Sequence, residues 1–243
     1  MTTELFATLY TCALEIGEVV RSHQGRGLSG QRPTQYHLDL VADEVAVRIL
    51  GGAGLGVMSE ESGATGDGDL VAVVDPIDGS TNCDRGIPFY ATSIAVVRGD
   101  EVVAALVRNH ATGQVFSAEK GAGAERDGVR LAVRATTSMD EAIVGVSGLP
   151  ERHPGWAQFR AMGAASLEIC LVADGSLDAF TVAGRTTLHP WDYLGGLAIV
   201  REAGGHVASW DDAPLVAADS VARRPLFAAT SAVARRLRED GPL

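Results

Sequence analysis

Lysine is almost missing from this chain of 243 residues: Lys120 is the only one, against nineteen arginines, a bias we read as one of coding composition rather than of chemistry. Cysteine is scarce too. Cys12, Cys83 and Cys170 are odd in number, far apart and without C-x-x-C spacing, which argues against a disulfide framework or a thiolate zinc site and predicts core thiols. No apolar run approaches the ~20 residues that a membrane helix needs. Acidic Glu4 stands where a secretion signal carries positive charge, so a soluble, cytoplasmic protein with no membrane partner is expected. Positive charge is short overall, with a formal net charge of −11, and basic residues are scattered apart from Arg223-Arg224 and Arg235-Arg236. Such a chain repels a polyanionic backbone, so no nucleic-acid partner is expected. A small anion would have to be captured through metal ions and N–H dipoles.

What is present is the composition of a folded enzyme-sized unit, 46% hydrophobic and only 21% charged. Leu5, Leu9, Ala13, Ile16 and Val20 recur at helical spacing over residues 4–23, and Leu40, Val41, Val45, Val47 and Leu50 do so over 39–50. Between them, residues 24–33 are rich in Gly, Ser and Arg and read as a mobile surface loop. From Gly56 the apolar runs are short and β-branched, at 57–58, 70–74, 92–97, 102–108 and 115–117, which predicts a largely antiparallel sheet packed on the two helices. A second αβ stretch follows, with strands near 143–147, 176–181, 205–209 and 226–229 and helices over 166–173, 192–203 and 231–239. With no internal repeat, this predicts two subdomains, 1–138 and 139–243, joined by a soft boundary around 136–141.

Several acidic positions stand out, each with a plain structural explanation. Asp75-Pro76-Ile77-Asp78-Gly79-Ser80-Thr81-Asn82 follows an apolar strand: two carboxylates straddle a turn whose N–H groups and hydroxyls suit an anion, so a metal and a phosphate could meet in one loop. Glu60-Glu61 at a strand end could simply be solvated. Asp192, after His189-Pro190-Trp191, could cap the helix that follows, and Asp39 likewise could cap its own. Asp43 and Glu44, one turn later, look like that helix's exposed face.

Taken together, the set resembles the inositol monophosphatase family, within the wider superfamily of lithium-sensitive, magnesium-dependent sugar-phosphate phosphatases. The likeness rests on Ser59-Glu60-Glu61-Ser62, on the octapeptide 75–82, and on Trp191-Asp192-Tyr193-Leu194-Gly195-Gly196 followed by Glu202-Ala203-Gly204-Gly205, in family order over residues 35–210. The resemblance implies an α+β fold, a layered αβαβα sandwich. It implies Mg²⁺-dependent hydrolysis of a phosphate monoester by metal-activated water, and a homodimer. Glu60, Asp75 and the Ile77 carbonyl would hold one Mg²⁺, and Asp75, Asp78 and Asp192 a second, with a third, weaker ion allowed for at Glu60. Gly79, Ser80 and Thr81 would bind phosphate, while Asp39 and Ser80, with Glu60, would orient the attacking water.

The match departs from the family in two places. The Asp-x-Val-Thr-x-x-Asp segment keeps its last acid as Asp39, but Pro33 and Tyr36 replace the first Asp and the Thr, which predicts a weakened third-metal site. A Glu that contacts inositol hydroxyls in animal-type members is missing, and Thr181-Val182 stand in that region instead, so inositol phosphate does not follow as the substrate. Gly163-Ala164-Ala165, matching the family's substrate-facing turn, together with Thr181 and Arg185, are the candidates for the alcohol side. Histidinol phosphate, fructose 1,6-bisphosphate and 3′-phosphoadenosine phosphate are the rival substrates, and a regulatory binding protein of the same fold is the rival of another class. His37, His110, His189 and His206 are not spaced as a metal triad and read as packing residues, and Trp191 as a core aromatic.

Overall fold

The computed structural model describes residues 2–23, 25–239 and 243. In chain order the elements are α1 (Thr2–Ser22), α2 (His37–Gly52), β1 (Gly56–Ser59), β2 (Gly63–Thr65), β3 (Val71–Asp78), α3 (Ser80–Arg85), β4 (Ala91–Arg98), β5 (Glu101–Asn109), β6 (Val115–Glu119), β7 (Gly123–Arg126) and β8 (Val129–Arg130). There follow β9 (Ile143–Ser147), β10 (Gln158–Arg160), α4 (Ala165–Ala173), β11 (Ala179–Val182), α5 (Pro190–Glu202), β12 (His206–Ser209), β13 (Pro225–Ala228) and α6 (Ser231–Arg238).

Two mixed sheets form. The first runs β2-β1-β3-β4-β5-β6-β7-β8 and is antiparallel throughout except for the parallel pair β1/β3. The second runs β10-β9-β11-β13-β12, with β9 parallel to both its neighbours. Three hydrophobic clusters order the layers. Leu9, Ile16, Leu38 and Leu50 of α1 and α2 pack on one face of the first sheet. Its other face packs through Ala95, Ala105 and Val107 on α4 and α5, which also bury Ile169 and Leu194 against the second sheet's Phe180 and Phe227. Val233 and Leu237 of α6 close the far face of that sheet. The result is the layered αβαβα sandwich. Seven of the eight residues of β4 are buried, as a strand covered by helices on both sides requires. Cys12, Cys83 and Cys170 are free, buried thiols. Among the described residues no helix is long and apolar enough to cross a membrane.

Three local readings need correction. The octapeptide does not begin with a turn after its strand: β3 continues to Asp78, with a register shift against β4 between Asp75 and Asp78. Pro76 has no N–H for the ladder, and the bulge lets its carbonyl accept the Thr92 hydroxyl at 2.8 Å. Asp43 is not on an exposed face; it is buried and accepts the hydroxyls of Ser59 and Ser62, which fixes the loop carrying Glu60. The segment read as a mobile loop is a strap tied to its surroundings over residues 25–36; Gln24, its first residue in the sequence reading, lies outside the described residues. The short strands β2, β7, β8 and β10 carry no sequence pattern that announces them.

Candidate active site

Five acids from distant parts of the chain, Asp39, Glu60, Asp75, Asp78 and Asp192, come close enough to act on one another's charge. Asp39 and Asp192 arrive by the same device: each is the third residue of its helix, and each carboxylate accepts the N–H of the capping residue, Tyr36 for α2 and His189 for α5, at 2.7 Å. Capping and site geometry are therefore compatible roles, since one oxygen holds the helix start and the other is left over. Trp191, buried, stacks on His189 with ring centroids 4.7 Å apart and stiffens that start. Glu60 follows β1 and donates its N–H to Val74 O, which ties it beside β3. Asp75 accepts the N–H of Ile77 at 3.0 Å, inside the bulge.

Glu60, Asp75 and Asp192 each present an oxygen within 4.8 Å of the others. Like charges that close are costly, at roughly 3–4 kcal/mol per pair for an effective dielectric of about 20. The carboxyl pKa values reflect it. Burial, then the charges of Glu61, Asp39 and Asp78, push Glu60 up to about 7. Burial and the neighbouring carboxylates hold Asp75 and Asp192 well above the usual carboxylate range. Asp39 is pushed up to about 6 by burial, against the lowering effect of the nearby Ser80 hydroxyl and the Tyr36 N–H. Its Oδ1 is buried and without a hydrogen-bond partner. Oxygen-only donors, crowded negative charge and an orphaned carboxylate oxygen fit a hard divalent cation. These residues can hold a metal ion.

Asp78 is placed differently. Its carboxylate accepts Ala165 N–H at 3.1 Å, Ser166 N–H at 2.7 Å and the Ser166 hydroxyl, so it joins the start of α4 to the acidic cluster. Burial pushes it up to about 6 and those donors pull it down. The Ile77 carbonyl accepts the Ser80 hydroxyl at 2.7 Å. Gly79 sits at φ +86°, and a Cβ there would lie 3.0 Å from Ala164 Cβ and 3.1 Å from Gly163 O, so only glycine lets the turn 163–165 approach this closely. Asn82 secures the approach, donating to Phe89 O at 2.8 Å and Met162 O at 2.7 Å.

Asp78, Asp192, Gly163, Ala164 and Ala165 line a cavity of about 290 Å³, together with Ser147 and Gly148. Two of the candidates for the alcohol side do not line it. Thr181 is buried within the second sheet, where its hydroxyl accepts the Trp210 indole N–H at 2.8 Å. Arg185 is exposed on the loop after β11. The sequence reading missed Glu168, a buried carboxyl on the cavity wall whose Oε1 accepts the N–H groups of Met162 and Gly163 at 3.1 and 3.2 Å. Burial pushes it up to about 8. A single acid inside the otherwise apolar run Leu167–Ala173 was the signal available. Asn82, the last residue of the octapeptide, serves the site through carbonyls outside the octapeptide, which its motif does not announce.

The sequence profile described as "Inositol monophosphatase family" matches residues 1–240. The chain is 39% identical over 166 residues to an inositol-1-monophosphatase of Rhizobium meliloti (strain 1021), an alignment covering 62% of this chain and 60% of that one, or about three fifths of the relative's length. It is 35% identical over 192 residues to a fructose-1,6-bisphosphatase/inositol-1-monophosphatase of Archaeoglobus fulgidus, covering 77% and 74%. Among solved structures, the extragenic suppressor protein suhB of Bartonella henselae superposes with a TM-score of 0.83 at 26% identity, covering 97% of this chain and 99% of that one.

Proposed function

The chain belongs to the inositol monophosphatase family, and from that premise we propose that it is a Mg²⁺-dependent phosphomonoesterase acting on a small sugar or polyol phosphate. The observation that carries the proposal is the meeting of Glu60, Asp75 and Asp192 at metal-ligand spacing beside a cavity lined by Asp78 and the turn 163–165. Relatives named for inositol phosphate and fructose bisphosphate hydrolysis support the substrate class. So does a cavity volume at the small end of the range for small-molecule sites.

Glu60, Asp75 and the Ile77 carbonyl would hold one ion, and Asp75, Asp78 and Asp192 a second. Three donors already occupy Asp78, which leaves about one of a carboxylate's roughly four lone-pair sites free. Bound Mg²⁺ supplies Lewis-acid polarisation of the phosphoryl group and lowers the pKa of a water. The protein's own groups do the rest. Asp39 Oδ1, buried and unpartnered, accepts the proton of the attacking water, and the Ser80 hydroxyl orients that water from the start of α3. The N–H groups of Gly79, Ser80 and Thr81 receive phosphoryl oxygens. Gly163, Ala164 and Ala165, on the cavity wall, face the alcohol. Assembly as a homodimer belongs to the same proposal.

The test is a panel of inositol 1-phosphate, fructose 1,6-bisphosphate, histidinol phosphate, a nucleoside monophosphate and 3′-phosphoadenosine phosphate, assayed for phosphate release with Mg²⁺. Turnover is expected on one of the single-ring polyol or sugar phosphates. Absence of turnover on the whole panel would instead favour a binding protein built on this fold.

A further inference from the structure

Next to Glu60, which faces the acidic cluster, Glu61 is engaged by a different part of the chain. Its carboxylate takes the Arg32 guanidinium and the Gln35 side-chain amide on the same oxygen, Oε2. Arg32 also donates to the carbonyl of Glu61 at 2.8 Å and to that of Glu60 at 3.4 Å. The Glu61 side chain is only 7% exposed, so these contacts are its environment. Gln35 is held in turn by the Ser29 hydroxyl at 2.7 Å.

Arg32 and Gln35 belong to the strap 25–36, which is fastened at further points around the site. Arg26 donates to Cys83 O at 3.1 Å and Gly27 N–H to the Asp84 carboxylate at 2.7 Å, both on α3. The Tyr36 hydroxyl meets the Thr81 hydroxyl at 3.1 Å. The strap thus brings a fixed positive charge to the outer side of a cluster of acids.

We propose that Arg32 is a built-in cation of this site: by holding Glu61 it keeps that carboxylate out of the metal-ligand set and so limits the number of divalent ions the cluster takes up. The inference rests on the reading of Glu60, Asp75 and Asp192 as metal ligands. A guanidinium is planar, weakly hydrated and permanently charged, and its fork spans a carboxylate and adjacent carbonyls, which a compact hydrated ion cannot do without giving up water. It neutralises charge without acting as a Lewis acid.

Titration of the purified chain with Mn²⁺, following free ion by electron paramagnetic resonance, tests this without any turnover. Arg32→Gln should bind one more equivalent per chain than the wild type, and Arg32→Gln/Glu61→Gln should return to the wild-type count. Glu61→Gln alone should leave the count unchanged, which keeps the test open if Arg32→Gln does not fold. An Arg32→Gln count equal to that of the wild type, or the loss of one equivalent in Glu61→Gln, overturns the proposal and leaves the phosphatase reading intact. A wild type that binds no Mn²⁺ overturns both.

Discussion

Asp75→Asn neutralises the centre of the acidic cluster while keeping an oxygen to accept the Ile77 N–H. In the metal-free protein the cluster carries a penalty whose sign follows from the raised pKa values. A carboxyl raised in the folded state costs nothing below its unfolded pKa, and the cost is complete above the folded one. For Glu60 this window runs from 4.5 to about 7, and the shift corresponds to a penalty on the order of 3 kcal/mol. Metal-free wild type should therefore lose stability as pH rises through that window. Asp75→Asn should relieve a comparable amount, raising Tm by roughly 6–12 °C at mildly alkaline pH for a chain of this size. Saturating Mg²⁺ reverses the order. At a hundredfold excess over Kd a ligand adds about 2.7 kcal/mol to the wild type, and the variant should gain nothing. Thermal unfolding by circular dichroism, with chelator and then with Mg²⁺, reads both. If metal-free Asp75→Asn is less stable than the wild type throughout the window, the carboxylate is satisfied by the protein itself and the reasoning fails.

Other predictions rest on single contacts. Asp39→Asn should lower kcat by about 10²–10⁴-fold with little change in KM, since the amide still caps α2 but cannot take a proton; a loss below threefold would remove Asp39 from the water-activating role. Gly79→Ala should cost about 1–3 kcal/mol in urea unfolding, because a Cβ at φ +86° meets Gly163 O and Phe89 O at 3.1 Å; an unchanged midpoint would mean that the turn 163–165 is free to move. Glu168→Gln should match the wild type at pH near 4.5 and be more stable above pH 8, by up to about 5 kcal/mol, and equal stabilities at both ends would show that the buried carboxyl pays no ionisation penalty. Arg185→Ala and Thr181→Val should each leave kcat/KM within about threefold, as neither residue lines the cavity.

The periodicity of apolar residues was enough to locate α1 and α2, which bury one face each, whereas α4 and α5, buried on nearly all sides between the sheets, were legible as apolar runs of helical length. The acids Glu60, Asp75 and Asp192 were legible for another reason: each lies in a motif, and the structure brings the three together. What was not legible depends on partners remote in sequence. Asp43 reads as a surface acid until Ser59 and Ser62 are seen to hydrogen-bond to it. The strap reads as a polar linker until Arg32 and Gln35 find Glu61. Thr181 sits in the region where a relative's Glu was missing, yet its hydroxyl belongs to Trp210. In the octapeptide the two acids suggested a turn, whereas the antiparallel partner β4 extends the strand to Asp78 and Pro76 turns the surplus residue into a bulge.

The central claim, that these carboxylates form the metal centre of a phosphomonoesterase, is tested most directly by phosphate release from the best substrate of the panel after chelation and stepwise return of Mg²⁺. The wild type should be inactive after chelation and recover fully with Mg²⁺, while Asp192→Asn, folded to the same far-ultraviolet spectrum, should stay inactive at every Mg²⁺ concentration. Full activity in the chelated wild type, or Mg²⁺-restored activity in Asp192→Asn equal to that of the wild type, would contradict it.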